Sequence, residues 1–340
     1  MPTVNPINIG DFGTGIFSKE VWDLAVPYES IKQDALLRSP LVQIMQSSGL
    51  DLGGILANET FAKRVSGRAG KPIAKTAIDV DQVGQARDAY VAISRLKAWG
   101  QEMLAKQIMG KDLLVEVAKQ APQFWSNEWQ SEILDMLYGI FEGPLKATHR
   151  LDEKTYDMSW SVIKAGTALL GDKQKEFTTI LMHSKQFDNL EAEGLIKYRT
   201  AGELGYNILV KGEFPMVKGL PIIMSDDVPV DEVTDSITGE KSYYYHSYIG
   251  KAGIIKFRNI SFNNEYFRTS TGGGTDELVQ MARTTMRIPG VKFNLAAASD
   301  AVNPENTDFR NPLCWSLADS ITTKDIPIVE VITKASAVKE

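Results

Sequence analysis

The sequence predicts an α+β fold organised around one long helix, on three observations. Residues 112–142 carry Leu113, Leu114, Val117, Ala118, Ala121, Phe124, Trp125, Trp129, Ile133, Leu134, Leu137 and Ile140 at spacings of three and four, the period of one helix face. Ahead of that run, Gly49, Gly53, Gly54, Gly67, Gly70, Pro72 and Gly84 punctuate short segments of β character. Behind it, the β-patterned stretches 260–269 and 276–288 are joined by Gly272, Gly273 and Gly274, the signature of a long hairpin.

In chain order, Ile16 to Ser47 shows partial helical periodicity at Trp22, Leu24, Ala25, Tyr28, Ile31, Ala35 and Leu36, with Ser18 as N-cap. Pro27 and Pro40 interrupt it, so this segment is expected to be an arm that packs on something else. Residues 61–78 predict two short strands around the turn Ser66–Gly70. They carry Lys63, Arg64, Arg68, Lys71 and Lys75 with no acid, and too few large apolar residues to be stable without a neighbour. Trp99, Met103, Leu104 and Ile108 predict a short amphipathic helix stopped by Gly110. The long helix follows, capped by Asp112 and kinked at Pro122. At 1.5 Å per residue it spans about 45 Å, the length of a structural beam.

The remainder reads as mixed α/β. A helix is predicted over 158–170, a buried strand over 178–182, and a helix capped by Ser184 that ends at Gly194. Strands follow at 208–210, 216–217 and 221–225, with a strand pair over 243–257 hinged at Gly250 and Gly253. After the long hairpin, residues 303–324 read as loop. Residues 326–333 form a closing strand in which Pro327 points to a sheet edge.

Composition narrows the function. With 340 residues, 43% hydrophobic and 24% charged, the chain is globular and can bury a sizeable core. A net charge of -6 opposes a surface devoted to gripping nucleic acid, although local basic patches remain open. The single Cys314 excludes an intramolecular disulfide framework or a cysteine-rich zinc site, and reads as a small buried hydrophobe. Residues 1–15 lack the basic and apolar regions of a signal peptide, and no apolar run approaches the ~18 residues of a membrane span.

Catalytic motifs are missing: no glycine-rich nucleotide loop, no H-E-x-x-H and no G-x-S-x-G. His149, His183 and His246 are far apart in sequence. His183 with Asp226 and Asp227 is the one conceivable hydrolytic metal set, and a hydrogen-bonded histidine at a strand end is the plainer reading. Asp226, Asp227, Asp231 and Glu232 lack the spacing of a calcium loop and read as solvated. Trp125 and Trp129 read as a packing stripe. We expect no enzyme activity, metal or cofactor.

Several segments resemble, in order and spacing, the major capsid proteins of tailed bacteriophages with the Hong Kong 97-type fold. Lys97–Trp99, Gly110–Asp112, Phe124–Trp125, Gln130 and Leu137–Phe141 are similar to that family's spine. Met182–Ser184, Leu190, Gly194–Ile196, Leu220–Asp226 and Pro229 are similar to its axial core. Tyr248–Ile255, Glu265, Arg268, Gly274, Arg283 and Arg287–Val291 resemble its peripheral hairpin. The resemblance covers most of the chain from Lys97 onward. It implies an N-terminal arm (1–57), an extended loop (58–96), a peripheral domain with the spine helix (97–150 and 258–300) and an axial domain (151–257 and 301–340).

The resemblance further implies self-assembly into pentamers and hexamers of a shell around double-stranded DNA, held non-specifically on the inner face. Portal and scaffolding proteins are the implied partners, with no membrane. A protein nanocompartment of the encapsulin type is the alternative. No residue matches a cross-linking site of the family, so covalent links are not expected. Charge placement singles out Arg64, Arg68, Lys71 and Lys75 for ion pairs with a neighbouring subunit. It also singles out Glu265, Arg268, Arg283 and Arg287 for a charge network on the hairpin.

Overall fold

The computed structural model describes residues 36–37, 39–51, 53–62, 85–102, 108, 113–200, 213–234, 241–269, 274–319 and 321–335. The predicted arm up to residue 35, the basic segment 63–84 and the strand at 208–210 lie outside them.

The first half begins with β1 (Val42–Ile44), β2 (Leu56–Ala62) and β3 (Gln85–Glu102), followed by the long helix, Leu113–Glu142. A helical turn at Lys146–His149, β4 (Arg150–Glu153), a helix at Trp160–Ala168, β5 (Thr179–Met182) and a helix at Ser184–Ala192 come next. They lead to β6 (Ile196–Thr200), β7 (Glu213–Val217), β8 (Leu220–Met224), β9 (Val230–Thr234) and β10 (Lys241–Gly250). The chain closes with β11 (Ile255–Thr269), β12 (Thr275–Arg287), β13 (Val291–Phe293), a short helix at Asn306–Arg310, β14 (Trp315–Leu317) and β15 (Ile328–Lys334).

Two sheets share the long helix. One has the order β1-β11-β12-β3-β2 and is antiparallel except for β1 against β11. The other runs β4-β15-β10-β5-β8-β7-β6, with β9 beside β10. Along β10 and β15 the two faces alternate, as strand geometry requires. Tyr248 and Ile328 turn to the long helix, while Ile249 and Val329 turn to the helices at 160–168 and 184–192. Cover on both faces leaves the run Ile328–Thr333 buried without a break, mostly apolar but with Glu330 and Thr333 inside it. The long helix buries Trp125, Trp129, Ile133, Leu137 and Ile140 in a core that also holds Ile93 and Phe257 of the first sheet and Tyr248 of the second.

Helix and hairpin therefore stand where the periodicities place them, but the expected loop over 303–324 carries a short helix at Asn306–Arg310 and β14, and four further expectations need correction. The predicted helix over Trp99–Ile108 is strand as far as Glu102, because β3 pairs with β12 along Ala92–Glu102. Residues 243–257 are not a strand pair: β10 belongs to one sheet and β11 to the other, and the chain crosses between them at 251–254. There Gly253 adopts φ +69°, a conformation glycine takes without strain, and donates to Pro40 O at 2.7 Å. The closing strand is interior, between β10 and β4, since Pro327 lies just before it and uses only its carbonyl, accepting from Lys251 N at 3.0 Å. The helix at 184–192 is capped by His183, whose Nδ1 accepts from Lys185 N at 3.1 Å, and Ser184 is its first residue.

The predicted hairpin over 61–78 is described only at its root, where Leu56–Ala62 pairs with Val91–Gln85.

Candidate assembly interface

The spine helix is fixed to the first sheet by polar groups that its apolar stripe does not reveal. Gln101 on β3 accepts from Leu113 N at 3.0 Å and Leu114 N at 3.3 Å, satisfying two amides that a helix start leaves without an intrahelical partner. Trp125 Nε1 donates to Gln280 Oε1 of β12 at 2.7 Å, in a fully buried pair. Two turns on, Glu132 is buried with its Oε1 3.0 Å from Arg95 Nε. The same guanidinium donates to Pro304 O and Asn306 Oδ1. Burial pushes the Glu132 carboxyl up to about 8, against the pull of Arg95 and with the push of the Glu128 charge.

That displacement has a testable sign. A carboxyl raised on folding stabilises fully below its ordinary value of 4.5 and loses that contribution as the pH climbs to about 8. The parent is therefore expected to lose a few kcal/mol relative to Glu132→Gln between pH 4.5 and pH 8. Denaturant midpoints measured across that range, parallel for both proteins, would refute it.

At its other end the helix meets the second sheet through a buried ionic cluster. His246 of β10 is wholly buried, with Nδ1 2.7 Å from Glu330 Oε1 of β15 and Nε2 3.2 Å from Asp231 Oδ2 of β9. Arg150 Nε lies 3.5 Å from Glu330 Oε2 and 2.9 Å from Asp152 Oδ1, and Arg150 also pairs with Glu142 in the last turn of the helix. Burial alone would push the His246 imidazole down, but Asp231 and Glu330 outweigh it and hold it up at about 9. Tyr138 joins helix and cluster, its ring 5.6 Å from that of His246 and 4.4 Å from the Arg310 guanidinium. Gln130 adds a further tie, donating to Ser225 Oγ at 3.2 Å and to Asp227.

Of the residues singled out from charge placement, Arg64, Arg68, Lys71 and Lys75 lie outside the described residues. Arg283 donates to Gly54 O. Arg287 pairs with Glu59, lies 3.6 Å from Asp88 Oδ2 and stacks 4.4 Å over the Tyr90 ring. Both arginines thus tie the hairpin to the root of the basic segment. Glu265 stands opposite Val279 and Arg268 opposite Asp276, towards the hairpin tip, whereas Arg283 stands opposite Ser261 and Arg287 opposite Lys256. The four are spread along the ladder and do not converge on one point.

The conceivable hydrolytic set is partly assembled and differently employed. His183 lies 3.6 Å from Asp226, yet its Nδ1 caps a helix and burial pushes its imidazole down, against the charge of Asp226. Asp226 accepts from Ser184 N, and Asp227 turns to Gln130. Among the described residues no cluster of histidine, cysteine or acid could hold a metal. No described helix is long and apolar enough to cross a membrane.

No protein-family model matches the sequence, and no curated protein does. Solved structures do match. The capsid of Ralstonia phage GP4 superposes with a TM-score of 0.62 at 10% identity, over 88% of each chain. The head structure of Helicobacter pylori bacteriophage KHP40 gives 0.55 at 11% identity, over 98% of this chain and 99% of that one. The chain has the Hong Kong 97-type capsid fold. The cyanophage Pam1 capsid asymmetric unit gives 0.55 at 8% identity, over 87% of this chain and 89% of that one.

At such identities the capsid fold is carried by the placement of elements and not by shared side chains. The His246 cluster shows why sequence reasoning missed part of it. Its members sit at 142, 150, 231, 246 and 330, and only the sheet order brings them together. Within this capsid fold they tie the long helix to the larger sheet, as Gln101, Gln280 and Arg95 tie it to the five-stranded one.

Proposed function

We propose that the chain is the major capsid protein of a tailed bacteriophage. It assembles with itself into pentamers and hexamers, and these close into an icosahedral shell around double-stranded DNA. The likeness to phage capsids across nearly the whole chain carries the reading. Its role is structural, its place the virion, and its assembly occurs in the host cytoplasm with portal and scaffolding proteins as partners. The five-stranded sheet with the spine helix serves as the peripheral domain, and the larger sheet as the axial domain. Arg64, Arg68, Lys71 and Lys75 make ion pairs with a neighbouring subunit, while Arg283 and Arg287 hold the loop root that aims them.

The test is negative-stain microscopy and sedimentation of the expressed chain, with and without a scaffolding protein. Closed particles are expected, with lower yield and heat resistance for Arg68→Glu and Arg283→Glu. A monomer at every concentration and salt, scaffold or not, would overturn the reading.

A further inference from the structure

The two strands that flank residues 63–84 carry like charges against one another. β2 ends at Ala62 and β3 begins at Gln85, and three rungs inside that pair Glu59 stands directly opposite Asp88. Residues so placed share a face with their Cβ atoms about 4.5–5.5 Å apart, and like charges there are unfavourable. The next two strands carry the reverse, with Arg287 of β12 opposite Lys256 of β11. Two acids thus meet two bases across four strands.

Only one of the bases reaches the acids. Arg287, laid over the Tyr90 ring, pairs with Glu59 and lies 3.6 Å from Asp88 Oδ2. Lys256 Nζ donates to Gln43 of β1 instead. Among the described residues no second cation is paired with Asp88. Gly290 N donates to Asp88 Oδ2 at 3.3 Å, and Lys292 of β13 is turned to Asp319. The Tyr90 hydroxyl accepts from Gly49 N, and Arg87, the residue before Asp88 on β3, belongs to the opposite face.

The two carboxylates differ in exposure. The Glu59 side chain is 53% exposed, whereas that of Asp88 is 3% exposed and its Oδ1 is buried with no hydrogen-bond partner. Asp88 is therefore the better place for a proton. Carried on Oδ1, it leaves one acid for one guanidinium and turns an unpartnered acceptor into a donor, across the ladder from Glu59. Burial pushes the Asp88 carboxyl up to about 6, against Gly290 N and Arg287 and with a further push from the Glu59 charge.

We propose that Glu59, Asp88 and Arg287 form a latch at the root of residues 63–84, shut in acid and eased as the medium turns neutral. Shut, Asp88 is uncharged, Glu59 keeps the whole of Arg287, and β2 is drawn onto β3. Eased, two facing carboxylates compete for one guanidinium. β2 is then the element that yields, since among the described strands it pairs with β3 alone. The sign agrees with linkage. A carboxyl raised on folding stabilises fully below its ordinary 3.8 and loses that contribution as the pH climbs through about 6. The use of the latch, setting how firmly residues 63–84 are aimed at a neighbouring subunit, rests on the capsid reading; the latch itself does not.

Amide hydrogen exchange in the unassembled full-length chain tests it, each rate being referred to the intrinsic rate at the same pH. Protection of the β2 amides is expected to fall about tenfold between pH 5 and pH 7. Asp88→Asn carries a donor at every pH and is expected to hold that protection constant, while β5 in the other sheet behaves as in the parent. Glu59→Gln changes a half-exposed side chain, removes the facing charge and is expected to move the fall to lower pH; it decides the case if the Asp88 variant unfolds. A parent without the fall, a fall that both variants leave unchanged, or an equal change at β5 in Asp88→Asn overturns the latch. A working latch in a chain that never forms particles would uphold it and overturn only the shell reading.

Discussion

Replacing Gly139 with alanine is expected to destabilise the chain by about 3 kcal/mol or more, although the same change at an ordinary helix position gains about 0.5–1 kcal/mol. The reversal comes from packing. A Cβ at Gly139 would stand 2.0 Å from Phe309 O and 2.8 Å from Trp315 Nε1. Neither atom can withdraw, since Trp315 Nε1 donates to Phe309 O at 2.8 Å in the buried layer that also holds Phe293. One turn further on, Gly143 meets Pro312 O at 2.9 Å in the same way. The helix thus presents bare backbone to the segment 309–312, and any side chain there forces the two apart. A denaturant midpoint for Gly139→Ala equal to or above the parent's would show that this contact yields.

Substituting His246 by glutamine is expected to cost about 3–5 kcal/mol near neutral pH, the typical penalty for removing one partner of a buried ion pair. Glu330 is buried and would keep only Arg150, at 3.5 Å, as counter-charge. The pH dependence has a definite sign. His246 is held at about 9, above its ordinary 6.5, so its contribution is complete below pH 6.5 and disappears as the pH rises through about 9. The parent should therefore weaken between pH 6.5 and pH 9.5, and His246→Gln should change much less over the same interval. Equal slopes in urea titrations at a series of pH values would remove His246 from the account.

The parts of the fold legible in the sequence were those whose periodicity is driven by apolar burial. The spine helix shows a stripe because one face is packed along its length, and the hairpin of β11 and β12 shows alternation between glycines. β3 was misread past Trp99 for a physical reason. Its helix-facing positions alternate Ile93, Arg95, Lys97 and Trp99, and two of these are cations serving Glu132 and the Phe124 ring. Charge on the inward face hides the two-residue period, and Trp99, Met103, Leu104 and Ile108 then imitate a helix. Strand partners were invisible for another reason: β10 reads the same whether it pairs with β11 or β15. The candidate assembly residues were legible as charge and not as geometry.

The position of β15 has a consequence in time. It lies between β4 and β10 and supplies Glu330 to both Arg150 and His246, yet it is synthesised after every other described strand. At a translation rate of about 5–20 residues per second, Arg150 waits roughly ten to forty seconds for its buried counter-ion to be made. Throughout that interval β4 is cut off from the rest of the larger sheet, because β15 is the strand that joins it to β10. The nascent chain can complete its five-stranded sheet first, so β4 is the last described strand to find its place in the larger one.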